Sequence, residues 1–204
     1  NAMAYVRCHP ADFDRWENMG LKGWSYAHAL PYFKRSENWE GGETSVRGSS
    51  GPLTTTQNIY PDPLKEAWLE AGLAAGYPVT EDYNTHNEGF CIMQSTIRNG
   101  KRCSAAVAYL RPALKRPNLT VLDKSLVLKV VVENGRATGV EYSRNGRTEI
   151  VNADREVVLS GGVINSPQLL MLSGIGAPEH LKEHGIECVN ALPGVGQNLQ
   201  DHIG

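Results

Sequence analysis

Two Asn-Gly pairs, at 134–135 and 145–146, constrain the fold of this chain more than any other feature. They separate three runs rich in β-branched residues, at 126–133, 137–143 and 149–152. Asn and Gly tolerate the positive φ angles of the tight turns that match the twist of paired strands. The sequence therefore predicts a small antiparallel β-meander in the second half of the chain.

Short apolar runs at 119–122 and 156–159 predict two more strands beside the meander. The second run leads into Ser-Gly-Gly at 160–162 and then into a helix whose amphipathic body is 168–173 and which Gly174 ends. A turn between a strand and a helix favours anions, because the first helical amides lack partners. Tight packing alone explains the glycines equally well.

Helix signals dominate the first half of the chain. A short helix is predicted at 11–17, and Ser25 can cap a second helix that extends to Phe33. Asp62 offers an N-cap ahead of a proline at the first helical position, and small and apolar residues recur at helical spacing over 63–75. The sequence therefore predicts three helices here.

The segments between these helices are rich in turn residues. Residues 40–61 are rich in Gly, Ser and Thr and predict a loop or linker, and 90–96 predicts an extended strand. An Asn-Gly turn at 99–100 then leads to a helix that Ser104 caps and that Pro112 ends or kinks. The fold class is therefore α+β: helices, an antiparallel meander and a strand-turn-helix element.

The composition argues against several classes of partner. Twenty Lys and Arg stand against 22 Asp and Glu, with a net charge of −2 and no basic run, so no nucleic-acid partner is predicted. No apolar run approaches the roughly 20 residues that cross a bilayer, and the N-terminal residues lack the basic, apolar and small-residue order of a signal peptide. We therefore expect no transmembrane segment and a cytoplasmic location.

The candidate metal ligands do not form a convincing set. The four cysteines are scattered with no C-x-x-C pair, which favours free thiols. His180 and His184 would share one helix face, as zinc ligands do, but no H-E-x-x-H motif and no third ligand accompany them. A solvated helix face is favoured, and no metal site is predicted.

Four stretches carry a resemblance to a known family. Residues 162–176 are similar to the second signature of the glucose-methanol-choline (GMC) oxidoreductases, and 1–7 resemble the end of their first signature. The segments 102–104 with 108–110 resemble the middle of the family, and 194–202 resembles its Gly-x-Asn-Leu-x-Asp-His segment. The chain thus resembles these flavoenzymes, which oxidise alcohols, from end to end.

Smaller features refine the resemblance. Residues 14–16 and 23–26 are similar to the choline dehydrogenase-like bacterial members. Cys8 and Val163 stand where the family signatures have small residues, which implies altered packing near the flavin. The resemblance implies that the chain forms part of a split α/β FAD-binding domain.

The resemblance also implies the chemistry. Full-length members bind FAD, and a small-molecule alcohol gives a hydride to the flavin while a histidine takes the hydroxyl proton. No motif of the catalytic histidine follows His202, and no G-x-G-x-x-G opens the chain. We therefore expect a central fragment that has no catalytic residue of its own, binds FAD weakly or not at all in isolation, and does not turn over.

Eight cofactor-binding residues follow from the resemblance. The loop Asn1, Ala2, Met3 and Ala4 would lie against the flavin end of FAD. The alternative for this loop is a simple surface loop or a remnant of an affinity tag.

At the other end of the cofactor, the backbone of Val127 would pair with the adenine edge. Read without the family, Val127 is a core valine. Ser160, Gly161 and Gly162 would approach the adenosine part, where the absence of side chains lets the backbone come close. Packing is again the alternative.

The resemblance divides the chain into three segments. Residues 1–45 would form an FAD-covering loop and helices, 46–118 part of the substrate-binding region, and 119–204 part of the FAD-binding domain. The alternative to a flavoenzyme fragment is a non-catalytic remnant that acts as an interaction module or self-associates through an exposed sheet edge.

Overall fold

The computed structural model of the chain describes residues 3–58 and 60–201. The chain forms two compact units, Asn1–Thr120 and Val121–Gly204. Helices and antiparallel strands occur in both units, which confirms the predicted α+β class. Within the described ranges, no helix is both long enough and apolar enough to cross a membrane.

Two helices of the first unit pack through aromatic rings. Helix α1 (Pro10–Asn18) and helix α2 (Tyr26–Ser36) form where the sequence predicts them, but α2 continues past Phe33 to Ser36, and the Ser25 side chain makes no capping hydrogen bond among the described residues. The buried ring of Phe13 lies 5.1 Å from that of Trp16 and 5.7 Å from that of Phe33, both edge to face. Aromatic pairs at these distances stabilise the contact beyond simple burial.

The third helix, α3 (Pro63–Ala74), begins as predicted. Asp62 accepts a hydrogen bond from the Leu64 amide at 3.0 Å, so one of the unpaired first-turn amides is satisfied. Gly72 inside this helix is buried, and a Cβ there would overlap the ring of Phe90. The glycine therefore allows the ring to pack against the helix backbone.

The first unit also contains a three-stranded sheet. Strand β1 (Glu37–Trp39) pairs in parallel with β2 (Leu53–Gln57), which pairs antiparallel with β3 (Gln94–Ser95). The prediction of a loop across 40–61 was therefore wrong at β2. Three consecutive threonines at 54–56 are β-branched and favour a strand, although the surrounding Gly and Ser content suggested a loop.

A hairpin and a helical segment complete the first unit. Strands β4 (Ile97–Arg98) and β5 (Lys101–Arg102) pair antiparallel around the predicted turn at 99–100. Of the predicted strand at 90–96, only the β3 residues pair as a strand in the described part of the chain. The helix that follows is a π-helix, Ala106–Leu110, and continues as α4 (Arg111–Ala113) through Pro112.

The second unit contains the predicted meander. Strands β6 (Ser125–Glu133), β7 (Arg136–Arg144) and β8 (Arg147–Asn152) pair antiparallel in the order β6-β7-β8. Both Asn-Gly turns have φ near 52° at Asn and 76° at Gly. These are the left-handed conformations that the two residue types accept, so this prediction is confirmed.

A helix and three short elements close the second unit. Helix α5 (Gly162–Leu172) is followed by the strand β9 (Ile175–Gly176), helix α6 (Pro178–Glu183) and strand β10 (Asn190–Ala191), with β9 and β10 parallel. Gly174 ends α5 at φ +80° as predicted.

One buried hydroxyl joins α5 to the meander. Ser173 accepts a hydrogen bond from the Val130 amide at 2.8 Å and donates one to the Leu169 carbonyl at 2.6 Å. The amide of a β6 residue is therefore satisfied by a side chain, not by a neighbouring strand.

Two predicted strands are absent from the described residues. Neither 119–122 nor 156–159 pairs with a neighbour in this part of the chain. An apolar β-branched run indicates that a segment is suited to a sheet, but a strand also needs a hydrogen-bonded partner. The sequence run alone does not supply that partner.

Candidate cofactor-binding site

Three predicted cofactor residues line one cleft of the second unit. Val127, Ser160 and Gly161 border a cleft of about 590 Å³ between the meander and α5. Gly162 follows at once as the first residue of α5. Residues separated by more than 30 positions in the sequence are thus brought together, although their role in binding a cofactor stays a prediction.

The walls of this cleft suit a small molecule with a mostly apolar surface. Side chains from β6, β8 and α5 supply apolar surface, including Leu126, Val151 and Leu169. Asn165 and Gln168 add polar amides on the helix side. A cleft of a few hundred Å³ with apolar walls and a few polar groups is the usual form of a small-molecule site.

The glycine turn brings backbone, not side chains, to the cleft. A Cβ on Gly161 would lie 3.2 Å from the Cβ of Asn165, which is tighter than ordinary contact. Gly162 has a φ of +89°, which any other residue adopts only with strain. The Gly161 amide donates to the Ser166 hydroxyl at 3.0 Å, and among the described residues no side chain caps the first turn of α5.

The strand that carries Val127 is irregular at that residue. Val127 pairs with Tyr142, but the register then shifts by one residue so that Lys129 faces Glu141. Such a β-bulge leaves backbone groups outside the ladder and is common beside binding sites. Because β6 is also at the edge of the meander, main-chain groups near Val127 are accessible to a ligand.

The predicted flavin-side loop belongs to the first unit. Asn1 and Ala2 lie outside the described residues. Met3 has a φ of 71°, an uncommon conformation for a residue with a side chain, and its carbonyl accepts from the Thr96 amide at 2.9 Å. Ala4 forms an isolated bridge with Ser95. Met3 also lines a cleft of about 740 Å³ in this unit.

A buried network of charged residues holds the segment after this loop. Glu37 accepts hydrogen bonds from both Arg47 and Arg7, at 2.6 Å and 2.5 Å, and from the Thr55 hydroxyl at 2.8 Å. Arg47 and Glu37 have no exposed side-chain surface. A buried carboxylate between two guanidinium groups needs this many partners to offset the loss of its hydration.

The other side of Arg47 meets a second carboxylate. Its Nη1 donates to Asp82 and to Gln94, each at 2.8 Å, and its guanidinium lies 4.2 Å from the Trp39 ring centre. Burial alone would lower the pKa of Arg47, but the hydrogen bond and charge of Glu37 and the charge of Asp82 raise it. Arg47 therefore stays charged and fixes the groups around it.

Hydrogen bonds connect this network to the backbone at Tyr5. The Tyr5 carbonyl accepts from the Tyr83 hydroxyl at 2.9 Å and from the Asn84 side chain at 3.1 Å, and its amide donates to the Gln94 carbonyl at 3.0 Å. The Arg7 amide donates to Asn84 at 2.6 Å. These hydrogen bonds therefore fix the backbone at Tyr5 and Arg7, directly after Met3 and Ala4.

No motif in the sequence predicts this network. Its charged members stand at positions 7, 37, 47 and 82, and their spacing matches no motif. A deeply buried charge has no local signature, because the partners that make its burial tolerable are distant in the chain.

The two histidines of α6 and its C-terminal cap do not form part of a metal cluster in the described ranges. The rings of His180 and His184 meet edge to face with centres 4.8 Å apart, and His180 Nδ1 lies 3.8 Å from a Glu183 carboxylate oxygen. Across residues 3–58 and 60–201, no group of three or more His, Cys, Asp or Glu side chains is arranged to hold a metal ion.

Comparison with known proteins assigns a family. The GMC oxidoreductase profile matches residues 1–204. An oxygen-dependent choline dehydrogenase from Sinorhizobium medicae is 56% identical over 204 residues, which are 100% of this chain and 37% of that protein. The mitochondrial choline dehydrogenase of Homo sapiens is 54% identical, over 100% of this chain and 34% of that protein.

Solved structures agree with the sequence comparison. An FAD-dependent oxidoreductase from Chaetomium thermophilum superposes with a TM-score of 0.89 at 34% identity, over 98% of this chain and 37% of that chain. The chain thus spans a little over a third of the length of the relatives that it matches.

Proposed function

Because the chain belongs to the GMC oxidoreductase family, we propose that it is part of an FAD-dependent enzyme that oxidises a small alcohol at a CH–OH group, with choline as the first substrate to test. The observation that carries the proposal is the convergence of Val127, Ser160 and Gly161 on one cleft. This cleft would hold the adenosine part of FAD.

The residues of the cleft fit such a group. The edge backbone near Val127 offers an amide and a carbonyl, the pattern that pairs with the edge of an adenine ring. The glycines at 161 and 162 let the backbone approach a sugar or phosphate closely, and the uncapped first turn of α5 presents amides that favour negative charge. Apolar side chains on both walls would sandwich the ring.

In the first unit we assign the flavin end to the loop Asn1, Ala2, Met3 and Ala4. The left-handed Met3 is held in place by the Thr96 amide, and residues with unusual φ often occur where a backbone must meet a ligand closely. Bound FAD would supply the acceptor for the hydride of the alcohol. The task of this chain is to bind and orient the cofactor, and we assign no catalytic residue within it.

The three segments keep their proposed roles under this assignment. Residues 1–45 would cover the FAD, 46–118 would contribute to the substrate-binding region, and 119–204 would contribute to the FAD-binding domain. A cytoplasmic location stays a prediction.

The proposal is tested with the full-length protein that carries this chain. We expect the purified protein to be yellow, to release FAD on denaturation, and to lose its visible flavin absorbance when choline is added without oxygen. If the protein contains FAD but loses its flavin absorbance with another alcohol and not with choline, that alcohol would replace choline as the proposed substrate. A colourless protein that FAD does not reconstitute would contradict the proposal.

The alternative function is a non-catalytic module that self-associates. All six residues of the edge strand β8 (Arg147–Asn152) are exposed, and exposed edges can pair with another chain. Light scattering measures the molar mass of the full-length protein and so tests for self-association. A monomer that contains flavin would exclude this alternative.

A further inference from the structure

A cleft in the first unit is lined by cations, and no carboxylate of the described residues lines it with them. Four basic side chains border this cleft of about 630 Å³: Arg98, Lys101, Arg102 and Arg111. The chain as a whole has a net charge of −2, so this local excess of positive charge is not a consequence of composition. We call this feature the basic cleft.

The hairpin at the basic cleft places two like charges directly opposite each other. Arg98 of β4 pairs with Lys101 of β5, and the two-residue turn between them fixes the pairing, with φ of 52° at Asn99 and 70° at Gly100. Directly opposite residues have Cβ atoms about 5 Å apart, and like charges there are destabilising. The fold therefore retains a repulsion that a bound anion would relieve.

The cations of the basic cleft differ from the two buried arginines of this unit, Arg7 and Arg47, in that they have no carboxylate partner in the described part of the chain. Within residues 3–58 and 60–201, none of the four takes part in any of the ion pairs. The buried Arg7 and Arg47 of the same unit, in contrast, are matched by carboxylates. The buried guanidinium groups of Arg7 and Arg47 thus have carboxylate partners, whereas those of the basic cleft form no ion pair among the described residues.

A hydroxyl group adds a donor to this cleft. Ser104 lines it, and its Oγ accepts a hydrogen bond from the Val107 amide at 3.3 Å. The hydroxyl proton engages no acceptor in the described residues and can turn towards a ligand.

We propose that the basic cleft binds a phosphate-bearing anion with at least two negative charges. Guanidinium groups match phosphate oxygens with paired hydrogen bonds, and such charge-assisted bonds are stronger than neutral ones. Three arginines and a lysine around a cleft of this size fit a phosphate or pyrophosphate group better than a single carboxylate. This inference does not depend on the flavin or on the alcohol.

The test uses the full-length protein as purified and two sources of the same chemistry. Titration with inorganic pyrophosphate is followed by calorimetry, and sedimentation with vesicles that contain phosphatidic acid, whose headgroup is a phosphomonoester, tests a lipid headgroup. The variant Arg98→Gln with Lys101→Gln removes two charges from the basic cleft. The control, Lys115→Gln with Arg116→Gln, removes two exposed charges that do not line it.

We expect the cleft variant to weaken binding by about tenfold or more, and the control by less than about twofold. Pyrophosphate binding with this pattern would identify a soluble ligand, and vesicle binding with this pattern a lipid headgroup. If the hairpin variant does not fold, Arg111→Gln on α4 provides the second test. No binding of either probe, or equal loss in the cleft and control variants, would overturn the proposal.

Discussion

The guanidinium of Arg47 lies 2.6 Å from the carboxylate of Glu37, and neither side chain has any exposed surface. Glu37 stands on β1, and the Thr55 hydroxyl of β2 donates to the same carboxylate at 2.8 Å. The ion pair and the Thr55 hydrogen bond therefore join the parallel strands β1 and β2 to the part of the chain that carries Arg47. Because a buried charge without its partner is very costly, this pair governs the stability of the first unit.

The first prediction concerns removal of the shared carboxylate. Glu37→Gln leaves the buried Arg7 without a carboxylate partner and Arg47 with Asp82 alone, and we expect the free energy of unfolding to fall by about 3–5 kcal/mol. Urea unfolding measures the loss. The control is Glu43→Gln, because Glu43 pairs with Lys34 while 65% of its side chain is exposed. A loss below about 1 kcal/mol is expected for it, and equal losses in both variants would refute the role given to Glu37.

The second prediction concerns pH. Burial alone would raise the pKa of Asp82, but hydrogen bonds from Gln94 and Thr85 and the charge of Arg47 lower it. A carboxyl group whose pKa is lower in the folded state adds stability above its unfolded pKa of about 3.9, and that addition is lost as the pH falls through the folded pKa.

The stability difference between wild type and Asp82→Asn should therefore be full at neutral pH and shrink below about pH 4. Urea unfolding across that range measures it. The exposed Asp154→Asn is the control, and its stability should stay within about 0.5 kcal/mol of wild type throughout. A difference for Asp82→Asn that does not change with pH would contradict the electrostatic role of Asp82.

The third prediction concerns the link between α5 and the meander. Ser173→Ala leaves the buried Val130 amide without its acceptor, and we expect a loss of about 1–3 kcal/mol. Thermal unfolding gives the comparison with Ser125→Ala, whose hydroxyl donates to the Asp123 carbonyl at the surface. If Ser173→Ala is as stable as Ser125→Ala, the prediction is wrong.

The fourth prediction concerns the start of α5. Gly162 has a φ of +89°, so Gly162→Ala should cost about 1–2 kcal/mol through backbone strain alone. Gly194 has no left-handed φ, and a Cβ added there would meet no atom of the described residues within 4 Å, which makes Gly194→Ala the matched control. We expect thermal denaturation to separate the two variants, and an unaffected Gly162 variant would show that the turn is not so constrained.

The sequence correctly predicts those parts of the fold that depend only on residues close together in the chain. The turns at 134–135 and 145–146 need only two residues of suitable φ preference, and the start of α3 needs only Asp62 and the proline after it. The segments at 119–122 and 156–159 depended on partners elsewhere, and they form no strand in the described residues. Local chemistry can be predicted from a window of sequence, whereas pairing cannot.

The candidate site follows the same division. The glycine turn at 160–162 is visible in the sequence, and the family resemblance suggested Val127 as its partner. The bulge that exposes the backbone near Val127 has no sequence signal. The network around Arg47 also has no sequence signal, because its four charged members become neighbours only when the three-stranded sheet has formed.

The central claim is that the cleft beside Gly161 holds the adenosine part of FAD, and the dissociation constant of FAD tests it most directly. We compare the full-length wild-type protein with Gly161→Val and with the control Gly194→Val. A valine at 161 would press on Asn165, which lines the same cleft, and would displace the glycine turn from the ligand, so FAD should bind at least about tenfold more weakly, with Gly194→Val unchanged. Equal FAD affinity in wild type and Gly161→Val would contradict the claim.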